Sequence, residues 1–102
     1  MNTPVINPET MRKHGGDATR LLKTLANEKR LMVLCLLVEG ERSVGGLNAE
    51  LDLSQSALSQ HLAILRADGL VDTRREAQTI YYTMADGPAR KIIETLHDIF
   101  CG

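Results

Sequence analysis

The stretch from Leu53 to Asp72, Leu-Ser-Gln-Ser-Ala-Leu-Ser-Gln-His-Leu-Ala-Ile-Leu-Arg-Ala-Asp-Gly-Leu-Val-Asp, constrains this chain more than any other. Ser54 is a good N-cap residue, and Gly69 suits the position just past a helix end. Between them Leu58, Leu62 and Leu65 recur at i, i+4 and i+7, which lays one apolar stripe along a helix. Ser56, Ser59, Gln60 and Ala63 project from the other side, so that face is polar, short-chained and uncharged. Two readings fit it. One is an ordinary amphipathic helix whose exposed side is rich in Ser and Gln. The other is a helix that enters a DNA major groove and offers hydrogen bonds to base edges and phosphates. The flanking segments decide between them.

On the N-terminal side, Ser43 is placed to cap a short helix carrying Val44, Leu47 and Leu51 on one face. Gly46 stands where a capping box has Glu or Gln, so this helix is expected to be soft. Asp52-Leu53 then forms a tight turn into the Ser54 helix, and two helices joined this way make a helix-turn-helix. After Gly69 the period changes. Leu70–Arg74 and Thr79–Met84 are rich in β-branched and aromatic residues, with the polar, partly basic Arg75-Glu76-Ala77-Gln78 between them. That pattern predicts a β-hairpin directly after the helix, which is a wing. Tyr81 and Tyr82 alternate across the second strand, so at least one packs on the core.

Upstream, Asn7-Pro8-Glu9 reads as an N-cap, a proline at the first helical position and an acid in the first turn. A kink or restart is expected at Gly15-Gly16, with Asp17 capping the second part, because each interior glycine costs about 1 kcal/mol against alanine. Leu21, Leu22 and Leu25 line one side of this helix, which ends near Asn27. Asn27 can cap the next helix, Glu28 to Glu39, stopped by Gly40. Its stripe of Leu31, Leu34, Cys35 and Val38, joined by Met32, Val33, Leu36 and Leu37, is apolar nearly all round, the mark of a core helix. Arg30 at its start reads as structural. Asp86 is expected to cap a final helix, with Pro88 in its first turn, running to Phe100. Ile92, Ile93, Leu96, Ile99 and Phe100 give that helix an apolar face too broad for so small a core. The first helix has the same surplus, and the two together predict a homodimer interface.

With 102 residues the chain is expected to form one domain, residues 8–102, after a loose N-terminus, residues 1–7. Twelve basic against 13 acidic residues leave a net charge of −1, so any field attracting nucleic acid comes from local patches and helix N-termini. The sequence has no apolar run of 18 residues and no signal-peptide pattern, which implies a cytoplasmic protein without membrane partners. Cys35 and Cys101 lie far apart, at neither a zinc spacing nor the density of a secreted disulfide scaffold. In a reducing cytosol such a pair is either two unrelated thiols or a regulated one. No nucleophile–base pair, phosphate loop or metal cluster stands at a usable spacing, so no cofactor and no enzymatic activity are expected.

The order of helix, helix, short helix, recognition-type helix, wing and helix resembles the ArsR/SmtB family of winged helix-turn-helix repressors. Three stretches carry the resemblance: Leu25-Ala26-Asn27-Glu28-Lys29-Arg30-Leu31, Leu53 to Leu62, and Gly69-Leu70-Val71 followed by Arg74-Arg75-Glu76-Ala77-Gln78. It covers about residues 18 to 101. The resemblance implies a mainly α fold with a small β-hairpin wing, and a homodimer through the first and last helices. It also implies a double-stranded operator, expected to be an inverted repeat.

Many members of that family sense metals, but the family's metal sites are missing here. Ser43 to Leu51 contains neither Cys nor His, Asp86 is followed two positions on by Pro88, and His97 has Phe100 three residues on. His97 and Asp98 then read as a solvated helix pair. What remains is Cys35 and Cys101, one in the core helix and one near the C-terminus. That pair resembles the thiol- and reactive-sulfur-sensing, HlyU-like subgroup, and the similarity of the chain to that subgroup is most evident from Leu51 to Thr83. The similarity implies a reduced dimer that binds its operator, and a loss of affinity when reactive sulfur species or peroxide link the two cysteines.

The residues themselves leave alternatives open. Cys35 also suits the core as a small hydrophobe. Cys101 lies at a helix C-terminus, where the dipole disfavours a thiolate. Gln55, Ser56, Ser59 and Gln60 are the candidates for DNA contact. Gln60 or Gln55 is the base reader, Ser56 reaches a phosphate, and Ser54 reads as cap or contact. His61, at the stripe border, fits a structural hydrogen bond or the DNA surface. Arg74, Arg75 and Gln78 fit phosphates or a minor groove, or a solvated tip where Glu76 offsets charge. The competing functions are a DNA binder with inert cysteines, a winged-helix protein-interaction module, and a sulfur-handling enzyme using Cys101.

Overall fold

A computed structural model describes residues 7–101. Its elements are α1 (Pro8–Leu25), α2 (Glu28–Glu39), β1 (Arg42–Ser43), α3 (Val44–Glu50), α4 (Gln55–Ala67), β2 (Val71–Glu76), β3 (Thr79–Met84) and α5 (Pro88–Phe100). Apart from Asn7, the segment expected to be a loose N-terminus lies outside the described residues.

Capping explains most of the helix starts. The side chains of Asn7, Asn27, Ser43 and Ser54 accept hydrogen bonds from the backbone N–H of Glu9, Arg30, Gly46 and Ala57. Each satisfies a donor that the first turn leaves without an intrahelical partner. Two expectations are corrected. First, α1 runs unbroken through Gly15-Gly16, and Asp17 lies inside it rather than at a cap. Unlike proline, glycine keeps its N–H, so it weakens the ladder without opening it. Second, α5 is entered through Gly87, which makes no side-chain cap, and not through Asp86. Gly87 has φ of +144°, which glycine adopts without a side-chain clash. Asp86 points outward instead, with Oδ1 3.4 Å from Arg90 Nε.

The wing is longer than the sequence pattern indicated, and it has a third strand. The paired strands reach Glu76↔Thr79, leaving Ala77-Gln78 as a two-residue turn, with Ala77 at φ +55° as such tight hairpins require. Arg42–Ser43 pairs antiparallel with Tyr82–Tyr81, giving the sheet order β1-β3-β2. Two residues are too few to show a periodicity, so β1 left no signal in the sequence.

The core is built from the expected stripes. Val33, Leu34, Leu47, Leu58, Leu65 and Ile93 are sealed from solvent, bringing α2, α3, α4 and α5 onto one cluster. Tyr82 packs into it while Tyr81 stays half-buried. The surplus apolar side chains remain outside: Leu22 on α1 is 59% exposed, and Ile99 and Phe100 at the end of α5 are 64% and 78% exposed. Among the described residues no helix is long and apolar enough to cross a membrane.

Candidate nucleic-acid interface and thiol pair

Helix α4 turns Leu58, Leu62 and Leu65 into the core. Its opposite face then presents Gln55, Ser56, Ser59 and Gln60 together, all exposed. Ser54 caps the helix through a 3.1 Å bond from Ala57 N–H, and its Oγ lies 3.3 Å from Ser56 Oγ. His61 is half-buried at the stripe border, and its Nδ1 finds no hydrogen-bond partner, so a structural bond through that nitrogen is absent. A groove of about 390 Å³ runs between α4 and the sheet, with Ser59, Ala63, Arg66 and Tyr82 among its walls.

The far end of α4 is tied to α1. Asp68 accepts hydrogen bonds from Thr24 Oγ1 and from Arg20 Nη2, the latter at 2.7 Å. These bonds, Thr24's first, hold the Asp68 carboxyl below the usual carboxylate range. Arg30 proves structural, donating from Nε to the Thr24 carbonyl at 2.7 Å.

In the wing, the structure separates three side chains that the sequence grouped. Arg74 grips Glu41 with two bonds, Nε to Oε2 at 2.8 Å and Nη2 to Oε1 at 2.7 Å. It also bonds Glu76 at 2.9 Å and lies over the Tyr81 ring. The hydrogen bonds from Arg74 lower the Glu41 pKa, and those carboxylates raise that of Arg74. Arg74 is therefore paired with two carboxylates partway along the wing, whereas Arg75 and Gln78 stand exposed toward its tip.

The two thiols share one surface. Cys35, half-buried on α2, and Cys101, exposed just past α5, are both free. They line a single groove of about 400 Å³ whose walls are chiefly apolar, Leu31, Met32, Leu36 and Leu51, with glutamates on its rim. Burial pushes the Cys35 thiol up, and the nearby Cys101 and Glu39 charges push it the same way. One turn from each cysteine the two helices are joined again: His97 Nε2 lies 2.8 Å from Glu39 Oε2. His97 is therefore not a solvated member of a pair with Asp98; its side chain is 20% exposed and bonded across to α2.

Glu39, Glu41 and Asp68 were not singled out in the sequence. Their partners lie 58, 33 and 44 to 48 positions away, and no local pattern encodes such pairs. Among the described residues no group of three metal-binding side chains comes together.

A capped helix pair with an exposed Ser/Gln face, backed by a hairpin and flanked by two long helices, defines a winged helix-turn-helix regulator. The chain belongs to the ArsR family of bacterial regulatory proteins. Residues 27–73 match the family described as "Bacterial regulatory protein, arsR family". The chain is 53% identical to the transcriptional activator HlyU of Vibrio cholerae, over 94% of this chain and 89% of that one. It is 52% identical to the biofilm growth-associated repressor of Agrobacterium fabrum, over 89% and 78%. The structure of reduced HlyU from Vibrio cholerae superposes with a TM-score of 0.87 at 53% identity, covering 92% of this chain and 99% of that one. The repressor BigR from Xylella fastidiosa gives 0.85 at 42%, covering 93% and 94%. Regulators of this family bind DNA and generally act as dimers.

Proposed function

We propose that this chain is a homodimeric transcription regulator, not an enzyme, whose operator affinity falls when Cys35 and Cys101 become linked. The observation that carries the reading is the shared groove: thiols from α2 and α5 line one apolar surface. In the reduced state, Gln55 and Gln60 of each protomer read base edges, and Ser54, Ser56, Ser59 and His61 lie along the same contact. Arg75 and Gln78 reach the backbone or minor groove beyond it, with Arg74 bracing the wing. Two protomers related by a twofold axis suit an inverted repeat, their α4 helices spaced about one DNA turn apart, roughly 34–36 Å.

Linking the thiols removes two electrons and two protons. With hydrogen peroxide the products are the bridge and two waters; with an organic trisulfide they are the bridge, a thiol and a hydropersulfide. A bridge fixes α5 to α2, and α5 also carries the exposed Ile99 and Phe100 of the proposed dimer face. A change there alters the spacing of the two α4 helices and so the fit to DNA.

One observation favours a second reading, a DNA binder with inert cysteines: Cys35 is half-buried and packs against the core as a small hydrophobe would. Serine substitutions distinguish the two. On the proposed reading Cys35→Ser and Cys101→Ser bind operator as the reduced protein does and ignore polysulfide or peroxide, while the parent responds. An equal response from parent and variants would reject the cysteine mechanism and leave DNA binding intact.

A further inference from the structure

The groove shared by the cysteines is only one of two links between α2 and the end of α5. Cys35 and Glu39 stand four apart on α2, and His97 and Cys101 four apart at the end of α5. Residues four apart share a helix face. The antiparallel helices therefore face each other along a two-rung ladder, with the cysteines on one rung and Glu39 with His97 on the other.

The second rung is a defined bond. A carboxylate only accepts, so His97 Nε2 carries the hydrogen in the 2.8 Å contact with Glu39 Oε2. The Cys101 N–H in turn donates to the His97 carbonyl at 2.7 Å, which attaches the backbone of Cys101 directly to the clamped residue. Beyond His97, packing within the protomer gives little: Asp98, Ile99 and Phe100 are all exposed. Toward its start the helix is held by the buried Ala89 and Ile93, and by Arg90 Nη2 donating to the Met84 carbonyl at 2.9 Å. Within the protomer, the side-chain contact that holds the last turn beyond the half-buried Leu96 is the bond from His97 to Glu39.

We propose that Glu39 and His97 are positioning residues for the thiol pair: their bond clamps the last turn of α5 to α2 and so raises the effective concentration of Cys101 at Cys35. This rests on the reading of the cysteines as a linked pair. Bridge formation is a ring closure whose equilibrium follows how often the two sulfurs meet, and a frayed last turn lets Cys101 sample open space. Neither Glu39 nor His97 exchanges electrons or protons with the sulfurs.

The test equilibrates the full chain in buffers of reduced and oxidised glutathione. There the two protein thiols and one glutathione disulfide give the bridge and two reduced glutathiones. The bridged fraction is read by intact mass after acid quenching, and the melting temperature of the reduced form is recorded alongside. His97→Ala should lower the bridging equilibrium constant about tenfold, which is about 30 mV for this two-electron couple. Glu39→Ala, at a half-exposed position that tolerates truncation, should do the same. The double variant should lose no more than Glu39→Ala alone, because the His97 bond is common to both changes; the 3.6 Å contact of Glu39 Oε1 with Arg42 Nη2 is lost equally in Glu39→Ala and in the double variant. His97→Gln, whose amide nitrogen can still donate to Glu39, should stay within about threefold of the parent.

A lowered melting temperature with an unchanged bridging constant would reduce the clamp to a structural contact and overturn the proposal. So would additive losses in the double variant. If the parent never bridges at any glutathione ratio, the thiol reading itself fails and the positioning role goes with it. That outcome is distinct from a parent that bridges and variants that bridge equally well.

Discussion

Arg74 and Glu41 meet through two parallel hydrogen bonds, 2.8 and 2.7 Å, that tie the wing to the connection between α2 and α3. A guanidinium held by a carboxylate fork and laid over Tyr81 is a poor phosphate ligand, because engaging DNA would mean giving up both contacts. Arg75, one residue on, faces the other side of the strand and is free to approach a phosphate. The expected result is a division of labour. Arg75→Ala reduces the slope of log affinity against log salt by about one, as loss of one phosphate contact should. Arg74→Ala leaves that slope near the parent value and instead loosens the wing, visible as faster amide exchange in Tyr81 and Tyr82. Binding isotherms across a range of salt concentrations, with hydrogen exchange on the free protein, check both.

The polar face of α4 makes a contrasting prediction. Gln60→Ala removes a side chain that can pair bidentately with adenine, so it should cost about 1–3 kcal/mol of discrimination against the wrong base. The salt slope should stay unchanged. Ser54→Ala should instead lower folding stability by about 1 kcal/mol, since Ser54 caps the helix. Competition between operator and mutated sites reads the first, and denaturant midpoints read the second.

Asp68 gives a pH dependence with a definite sign. Its bonds to Thr24 and Arg20 hold the folded-state pKa below the ordinary carboxylate value of about 3.9. A depressed folded pKa contributes stability that is fully present above the unfolded pKa and is lost as the pH falls through the folded one. Asp68→Asn should therefore be less stable than the parent at pH 7, by about 1 kcal/mol given solvent screening of Arg20. The gap should close as the pH drops below about 4. Thermal melts of both proteins from pH 7 downward test this, and a gap constant with pH would contradict it.

The unpartnered apolar side chains of α1 and α5 predict the assembly. Ile99→Asp, on a residue 64% exposed within the protomer, should weaken the proposed homodimer without unfolding the monomer. Sedimentation equilibrium should show a shift to monomer, and operator affinity should fall with it because two half-sites are no longer read together.

Much of this was legible in the sequence, for reasons that differ from element to element. Helices α2 and α4 announce themselves through Leu stripes and through the caps Asn27 and Ser54, all local signals. The Ser/Gln face of α4 follows from the same projection. The start of α5 was misplaced by one residue, because a positive φ at Gly87 rather than a side-chain cap sets it. The continuity of α1 through Gly15-Gly16 escaped a reading that weighed propensity alone. The two contacts that most change the picture of the site, Glu41 with Arg74 and Glu39 with His97, join residues 33 and 58 positions apart. Such pairs exist only once the core has brought their helices and strands together.

On the proposed reading, the Cys35–Cys101 pair governs DNA affinity. The most direct measurement is affinity for the DNA upstream of the chain's own gene, with the protein reduced and after polysulfide treatment, and intact mass taken on the same samples. The expected result is a fall of tenfold or more, about 1.4 kcal/mol, together with a mass that reports a Cys35–Cys101 link. Tight binding that is the same before and after the link has formed would contradict it.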